Sequence, residues 1–278
     1  QAANKARWEA TPMRYDWREV IPYEPGTPEY FQEIYKRFFA AVRKYLPWTR
    51  VPFEQLIPFQ SLQDKDVLEI GVGQGSHAHL IAPRAKSFTG IDLTTAASVM
   101  TRQRFAAFHL PGQILQMDAE RMDFPDHSFD FIWSWGVIHH SANTLQILRE
   151  MYRVLRPSGT ATVMIYHRSF WRYYFVDAVL NGMLRGKLRT QGSLHAITQA
   201  GTDGAIARFY RPAEWTRLCD GLFNIQSIEI NGQKADVLPL PAGPMKEWLD
   251  MHLPDALTAF LTNQLRFGTF LVARMSRV

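Results

Sequence analysis

The run Asp66-Val-Leu-Glu-Ile-Gly71-Val-Gly73-Gln-Gly75 constrains this chain more than any other segment. A short apolar stretch runs into alternating glycines, and a helical pattern follows from Ser76. Glycines at such a junction let the backbone turn tightly and approach a ligand where a side chain would clash. The same grain recurs downstream. Strands are predicted at 66–70, 87–92, 113–117, 129–134 and 160–166, with helices at 76–85, 95–108 and 143–155 between them. Strands alternating with helices imply a parallel sheet covered on both faces. A helix over 212–222 and strands at 225–230 and 269–275 follow, the last two pairing antiparallel. The expected fold is α/β, a doubly wound, seven-stranded, mostly parallel sheet.

What lies outside that pattern divides into three parts. Residues 1–57 are rich in aromatics, from Trp8, Tyr15 and Trp17 to Tyr45 and Trp48, and are expected to form a helical N-terminal extension that, with two later insertions, caps the ligand edge of the sheet and forms the pocket. Within it, Phe31, Ile34, Tyr35, Phe38, Phe39, Val42 and Leu46 fall at helical spacing, so 29–46 reads as an amphipathic helix. The core domain spans 58–278, with lid insertions at about 168–211 and 232–267. Phe170 to Leu184 reads as an aromatic lid over an apolar pocket, with a dimer face or a lipid-touching surface as alternatives.

Composition excludes little else. The net charge of +5 admits acidic small molecules, membranes and nucleic acid alike. A single cysteine, Cys219, rules out an intrachain disulfide. No apolar secretion signal is present, and no apolar run reaches the ~20 residues of a bilayer span. The expectation is a soluble, cytoplasmic protein.

Acids at two further strand ends sharpen the reading of the glycine loop. Asp92 lies about 20 residues on, where a carboxylate can bind two ribose hydroxyls. Asp118 follows the next strand and can accept from an adenine amino group. A dinucleotide fingerprint would place its third glycine at 76, but that residue is Ser76 and the glycine stands at 75. The compact spacing suits a nucleoside with an amino-acid tail better than a pyrophosphate.

Taken together, Glu69 to Gly75, Asp92, Met117-Asp118-Ala119, Phe124 to Asp130 and Leu148 to Gly159 resemble the class I S-adenosylmethionine-dependent methyltransferases, specifically the type 11 branch that includes quinone-biosynthesis enzymes. The likeness covers about 62–167 and, more faintly, the last strands. It departs at Pro157-Ser158-Gly159, where the family often has Pro-Gly-Gly. The resemblance implies a Rossmann-like methyltransferase that binds S-adenosylmethionine and releases S-adenosylhomocysteine. It implies that Glu69, Gly71, Gly73 and Gly75 shape the methionine and ribose site and that Asp92 holds the ribose. Leu93 would flank the adenine, Asp118 and Ala119 would bind it, and Ser134 and Trp135 would lie beside the sulfonium. Trp133 is expected in the core.

Base candidates follow the fourth and fifth strands, at the sheet edge where open α/β folds bind ligands: His139, His140, Tyr166 and His167. Arg168, Arg208, Tyr210 and Arg211 are candidates to grip a substrate carboxylate or phosphate. His77 and His79 read as packing or surface residues, and no metal site is expected. The function expected is methyl transfer to a small, apolar or aromatic acceptor, with oxygen, nitrogen, carbon and sulfur all open as accepting atoms. The rivals are a nucleic-acid methyltransferase and a non-catalytic cofactor-binding scaffold. Nucleic acid is disfavoured because the fourth strand ends Trp133-Ser134-Trp135, without an Asn/Asp-Pro-Pro-Tyr/Phe base-holding motif, and Cys219 is badly placed as a nucleophile. Membrane contact is expected to be peripheral at most, and a homodimer is a further expectation.

Overall fold

The structure, a computed structural model, describes residues 1–10, 13, 20–202, 204–237 and 243–278. Tyr15 and Trp17 of the aromatic N-terminal segment, and residues 238–242 of the second insertion, lie outside the described residues. Among the described residues, strands β1 (Asp66–Ile70), β2 (Ser87–Asp92), β3 (Gln113–Gln116), β4 (Phe129–Trp135), β5 (Leu155–His167), β6 (Phe209–Tyr210), β7 (Phe223–Asn231) and β8 (Phe270–Arg277) form one sheet. Its order is β3-β2-β1-β4-β5-β8-β7, with β6 paired to β5 beside it. The strands through β5 run parallel, and β8 pairs antiparallel with both β5 and β7.

This is the expected doubly wound sheet with one strand more. The eighth, β6, extends the tip of β5 through Tyr166 and His167. Strand β5 also starts five residues earlier than its apolar run suggested, because Leu155 pairs with Phe129 ahead of the Pro157-Ser158-Gly159 turn residues.

Helices α3 (Ser76–Ile81), α4 (Thr95–Ala107) and α5 (Thr144–Val154) connect the strands. Asn143 caps α5 by accepting from the Gln146 N–H at 3.1 Å, and Ile147, Leu148, Met151 and Val154 bury its apolar stripe. One core cluster sets this stripe against β4, β5 and β8, around the buried Ile132, Ile165 and Ala273.

The opposite face of the sheet is covered by the N-terminal segment. Helix α2 (Pro28–Arg43) starts at a Thr27 cap with proline in its first turn and buries Phe31, Ile34, Phe38, Phe39 and Val42. Phe38, Phe39, Val42, Tyr45 and Phe53 share a core with Val67, Phe131 and Trp133 of the sheet. The extension therefore has its main hydrophobic core in common with the sheet. A shorter helix, α1 (Ala2–Ala10), was not legible in the sequence, where no apolar stripe marks it. It crosses the carboxyl edge of the sheet. Glu9 accepts from the Thr95 and Ala96 N–H groups at the start of α4, both at 2.9 Å, and Asn4 accepts from Ile206 N–H at 3.1 Å.

Among the described residues no helix is long and apolar enough to cross a membrane.

Candidate active site

At the carboxyl edge of β1, β2, β4 and β5 a cavity of about 590 Å³ opens under α1 and α2. Ligand sites of small-molecule enzymes commonly run ~300–1,000 Å³. The glycine loop forms its floor. Gly71, Gly73 and Gly75 all have positive φ, at 81°, 53° and 73°. At Gly71 a Cβ would also lie 2.2 Å from a Val137 methyl, and at Gly75 it would lie 2.8 Å from Thr101 Cγ2. A Cβ on Gly73 would meet no protein atom within 4 Å, so the loop is open towards the cavity at that point.

The loop is tied to the first acid. Asp92 accepts from Gly73 N–H at 3.1 Å and from the Thr94 N–H and hydroxyl at 2.9 and 2.8 Å. Burial pushes its carboxyl above the ordinary aspartate range, and these three hydrogen bonds work against that shift. Asp118 stands beyond the next strand, accepting from Glu120 N–H at 2.9 Å and from the Gln1 side-chain amide at 2.8 Å. Leu93, Met117, Ala119 and Ile147 supply the apolar wall beside the two acids. A pair of carboxylate acceptors flanking an apolar slot, over a loop open at Gly73, fits a nucleoside with hydroxyl and amino donors.

Glu69 and His77 lie behind the loop. Glu69 is 1% exposed, and burial together with Asp92 holds its carboxyl well above the usual range. His77 comes within 3.9 Å of it, and burial lowers its ring to about 3. His77 is therefore neutral at physiological pH, so its approach to Glu69 is not an ion pair. Of the two readings of His77, packing and surface, the structure has packing: it is buried with Phe38, Phe53 and Trp133 round it at centroids 4.9 to 5.4 Å, and it also lines the cavity.

The fourth strand contributes two tryptophans. Trp133 is fully buried, and Trp135 lines the cavity, stacked on it at 5.3 Å and 7°. Ser134 does not face the cavity; it is buried and donates to Ile70 O at 3.2 Å, joining β4 to β1.

Of the base candidates, the structure brings His140 and Tyr166 to the cavity, but neither His139 nor His167. His140 Nδ1 is 2.7 Å from the Ile206 carbonyl oxygen. A carbonyl only accepts, so Nδ1 carries the proton and the neutral ring has its lone pair on Nε2. His139 is wholly buried against Tyr166 at 3.9 Å, neither ring nitrogen has a hydrogen-bond partner, and burial holds it well below the ordinary imidazole range. His167 Nδ1 lies 2.8 Å from Gly268 O, and its ring too is lowered by burial.

None of the four substrate-gripping candidates lines the cavity. Arg168 pairs with Glu214 and lies over the Tyr173 ring. Arg211 donates to the Tyr174 hydroxyl at 2.6 Å, and Tyr210 donates to Thr144 Oγ1 at 3.0 Å. Arg208 donates to the Ser141 and Ala142 carbonyls, at 3.3 and 2.6 Å, and so braces the loop that carries His140. A charged residue before a helix shows its charge in sequence but not its partner, and here the partners are internal. The remaining walls come from afar: Trp8, Phe38 and Tyr45 of the aromatic N-terminal segment expected to cap this edge, and Gln1, Asn4, Met164 and Phe270, which the sequence did not single out.

Cys219 is buried far from this edge, 3.7 Å from the Met275 sulfur, and burial raises its thiol to about 12. Among the described residues no three His, Cys, Asp or Glu side chains are grouped to hold a metal.

Residues 68–163 match a family described as a methyltransferase domain. A malonyl-[acyl-carrier protein] O-methyltransferase from Marinomonas is 29% identical over 47% of this chain and 50% of its own length. A tRNA U34 carboxymethyltransferase from Cellvibrio japonicus is 31% identical over 40% of this chain and 34% of its own. The chain thus spans half or less of these two relatives. The crystal structure of a SAM-dependent methyltransferase from Methanosarcina mazei shares the fold, with a TM-score of 0.52 and 16% identity over 78% of this chain and 93% of that one. The glycine loop, the two strand-end acids and the matched family together identify residues 68–163 as a class I, S-adenosylmethionine-dependent methyltransferase domain of the type 11 family.

Proposed function

We propose that this chain transfers a methyl group from S-adenosylmethionine to a small, apolar or aromatic acceptor. One observation carries the reading: Gly73, Asp92 and Asp118 line the same cavity as an aromatic wall of Phe38, Tyr45, Tyr166 and Phe270. The first set offers acceptors and backbone to a nucleoside, and the second offers apolar rings to an acceptor molecule. Asp92 would hold the ribose hydroxyls and Asp118 the adenine amino group, with Leu93 and Ala119 against the base.

When bound, S-adenosylmethionine supplies a methyl group on a positively charged sulfur, open to in-line displacement. The ring face of Trp135 suits a neighbouring cation, since aromatic faces attract positive charge. Neutral His77 adds no positive charge behind the loop. With S-adenosylmethionine bound, the rings of Phe38, Tyr45, Tyr166 and Phe270 would hold the acceptor in the same cavity and exclude water from it. Where the acceptor is a hydroxyl, thiol or amine, its proton goes to His140 Nε2, which the Ile206 carbonyl keeps in the required tautomer.

The names of the relatives do not settle the acceptor, since one acts on an acyl-carrier protein and another on tRNA. The small-molecule reading is favoured because Arg168, Arg208 and Arg211 are engaged within the protein instead of facing the cavity as phosphate-binding groups would.

Calorimetric titration with S-adenosylmethionine and S-adenosylhomocysteine, with NAD as control, tests the cofactor assignment. Binding of the first two, weakened at least about tenfold in Asp92→Ala, is expected for loss of a carboxylate hydrogen-bonding to a diol. Equal binding by the variant would overturn it. Screening acceptor pools with a labelled methyl group then separates an enzyme from a scaffold.

A further inference from the structure

We infer that the tip of the first insertion, Met183 to Arg189, is a docking site for an anionic lipid bilayer. The tip follows the helix Phe170–Leu184, whose fifteen residues carry only Arg172, Asp177 and Asn181 as strongly polar side chains. A helix apolar on all sides belongs in a core or against lipid. This one buries Tyr173, Val176, Asp177 and Gly182 but leaves Phe170 72% exposed, Met183 60% and Leu184 74%.

Charge chooses the partner. Residues 168–211 hold seven Lys and Arg against two Asp, an excess equal to the whole chain's net charge of +5. From Ala178 to Thr202 there is no Asp or Glu at all. Four of the seven cations, Arg168, Arg172, Arg208 and Arg211, contact protein groups within the fold. Arg185, Lys187 and Arg189 alternate with the exposed Met183, Leu184 and Leu188 at the tip; Arg185 donates to Asn181 Oδ1 at 2.9 Å, and no carboxylate among the described residues pairs with any of the three.

An acid-free tip that interleaves three cations with three apolar side chains matches a surface of anionic headgroups over acyl chains. Trp171 anchors the helix to the second insertion, stacking on Phe267 at 5.2 Å and donating to Val237 O at 3.1 Å. The exposed Phe260 and Leu265 of that insertion adjoin this anchor in sequence. Shallow insertion and a basic patch together supply the two signals that stable peripheral binding takes.

The test is co-sedimentation of the full chain with vesicles of phosphatidylcholine alone and of phosphatidylcholine with phosphatidylglycerol. Binding is expected only to the anionic vesicles. The triple variant Arg185→Gln/Lys187→Gln/Arg189→Gln and, separately, Leu184→Ser/Leu188→Ser should each weaken it by ~tenfold or more, with unchanged circular dichroism and unchanged S-adenosylhomocysteine affinity. Absence of vesicle binding by folded protein, or binding that survives both variants, overturns the assignment. So does a dimer in solution that Leu184→Ser/Leu188→Ser dissociates, which would give the face to a second copy. Vesicle binding and oligomeric state, the deciding readouts, depend on neither the cofactor nor turnover.

Discussion

The Gln1 side-chain amide donates to Asp118 Oδ1 at 2.8 Å, across 117 positions of sequence, while its oxygen accepts from Ala142 N–H at 3.2 Å. This places an amide N–H at the carboxylate proposed to receive the adenine amino group. Helix α1, held by Asn4 and Glu9, is thereby latched over the cavity by a contact that the ligand would contest.

If the two donors compete, removing one favours the other. Gln1→Ala should tighten S-adenosylhomocysteine binding severalfold, of the order of one hydrogen bond to a charged acceptor, about 1–2 kcal/mol. Calorimetry on the two proteins checks this. An unchanged Kd would mean that Asp118 serves both donors at once.

Glu69 and His77 impose opposite pH slopes on stability. The folded pKa of Glu69 is raised, so folding favours its protonated form, and its contribution to stability is lost as pH rises above the unfolded value of about 4.5. The folded pKa of His77 is lowered to about 3, so its contribution is complete above 6.5 and is lost as pH falls below that. For His77 the loss between pH 6.5 and 5 is about 2 kcal/mol. Urea denaturation should find Glu69→Gln gaining on the parent from pH 5 to 7. His77→Gln should lose less than the parent between pH 6.5 and 5. Parallel curves for parent and variants would contradict both directions.

His140→Gln should keep cofactor affinity and lower turnover by about 10²-fold or more, the usual share of a general base. His139→Gln should act mainly on stability, because His139 is walled off from the cavity. Single-turnover rates with a proton-bearing acceptor separate the two. Equal rates for parent and His140→Gln would remove His140 as the base.

Arg208 is a positioning residue, since it holds the Ser141 and Ala142 carbonyls and never reaches the cavity. Its side chain is exposed, so Arg208→Ala should cost only ~1 kcal/mol, a fall in Tm of about 2–4 °C. Turnover should fall more than that loss suggests, with KM for the acceptor nearly unchanged, and Arg208→Lys should restore part of it. A proportional loss in kcat and KM, with no rescue, would show that the arginine only stabilises the fold.

Features read correctly from sequence were local. The ends of β1 and β2 are punctuated by the glycines and by Asp92, and the α5 cap by Asn143, so their boundaries stand within a residue or two of expectation. What was hidden depends on contacts between distant segments. Nothing within Ala2–Ala10 announces that Gln1 meets Asp118, that Asn4 meets Ile206, or that Trp8 packs edge-on against His140 at 5.4 Å. Packing and surface could not be told apart for His77 in sequence because its neighbours Phe38 and Phe53 come from another segment. The arginines at 168, 208 and 211 were misjudged for the same reason, since their internal partners are supplied by tertiary packing.

The stacked indoles of Trp133 and Trp135 give the protein an optical consequence. Two near-parallel chromophores, one locked in the core and one at the cavity wall, couple their electronic transitions. Their near-ultraviolet ellipticity and emission should therefore change when a ligand displaces water from beside Trp135. Occupancy of the cavity becomes visible by light alone, without label or turnover.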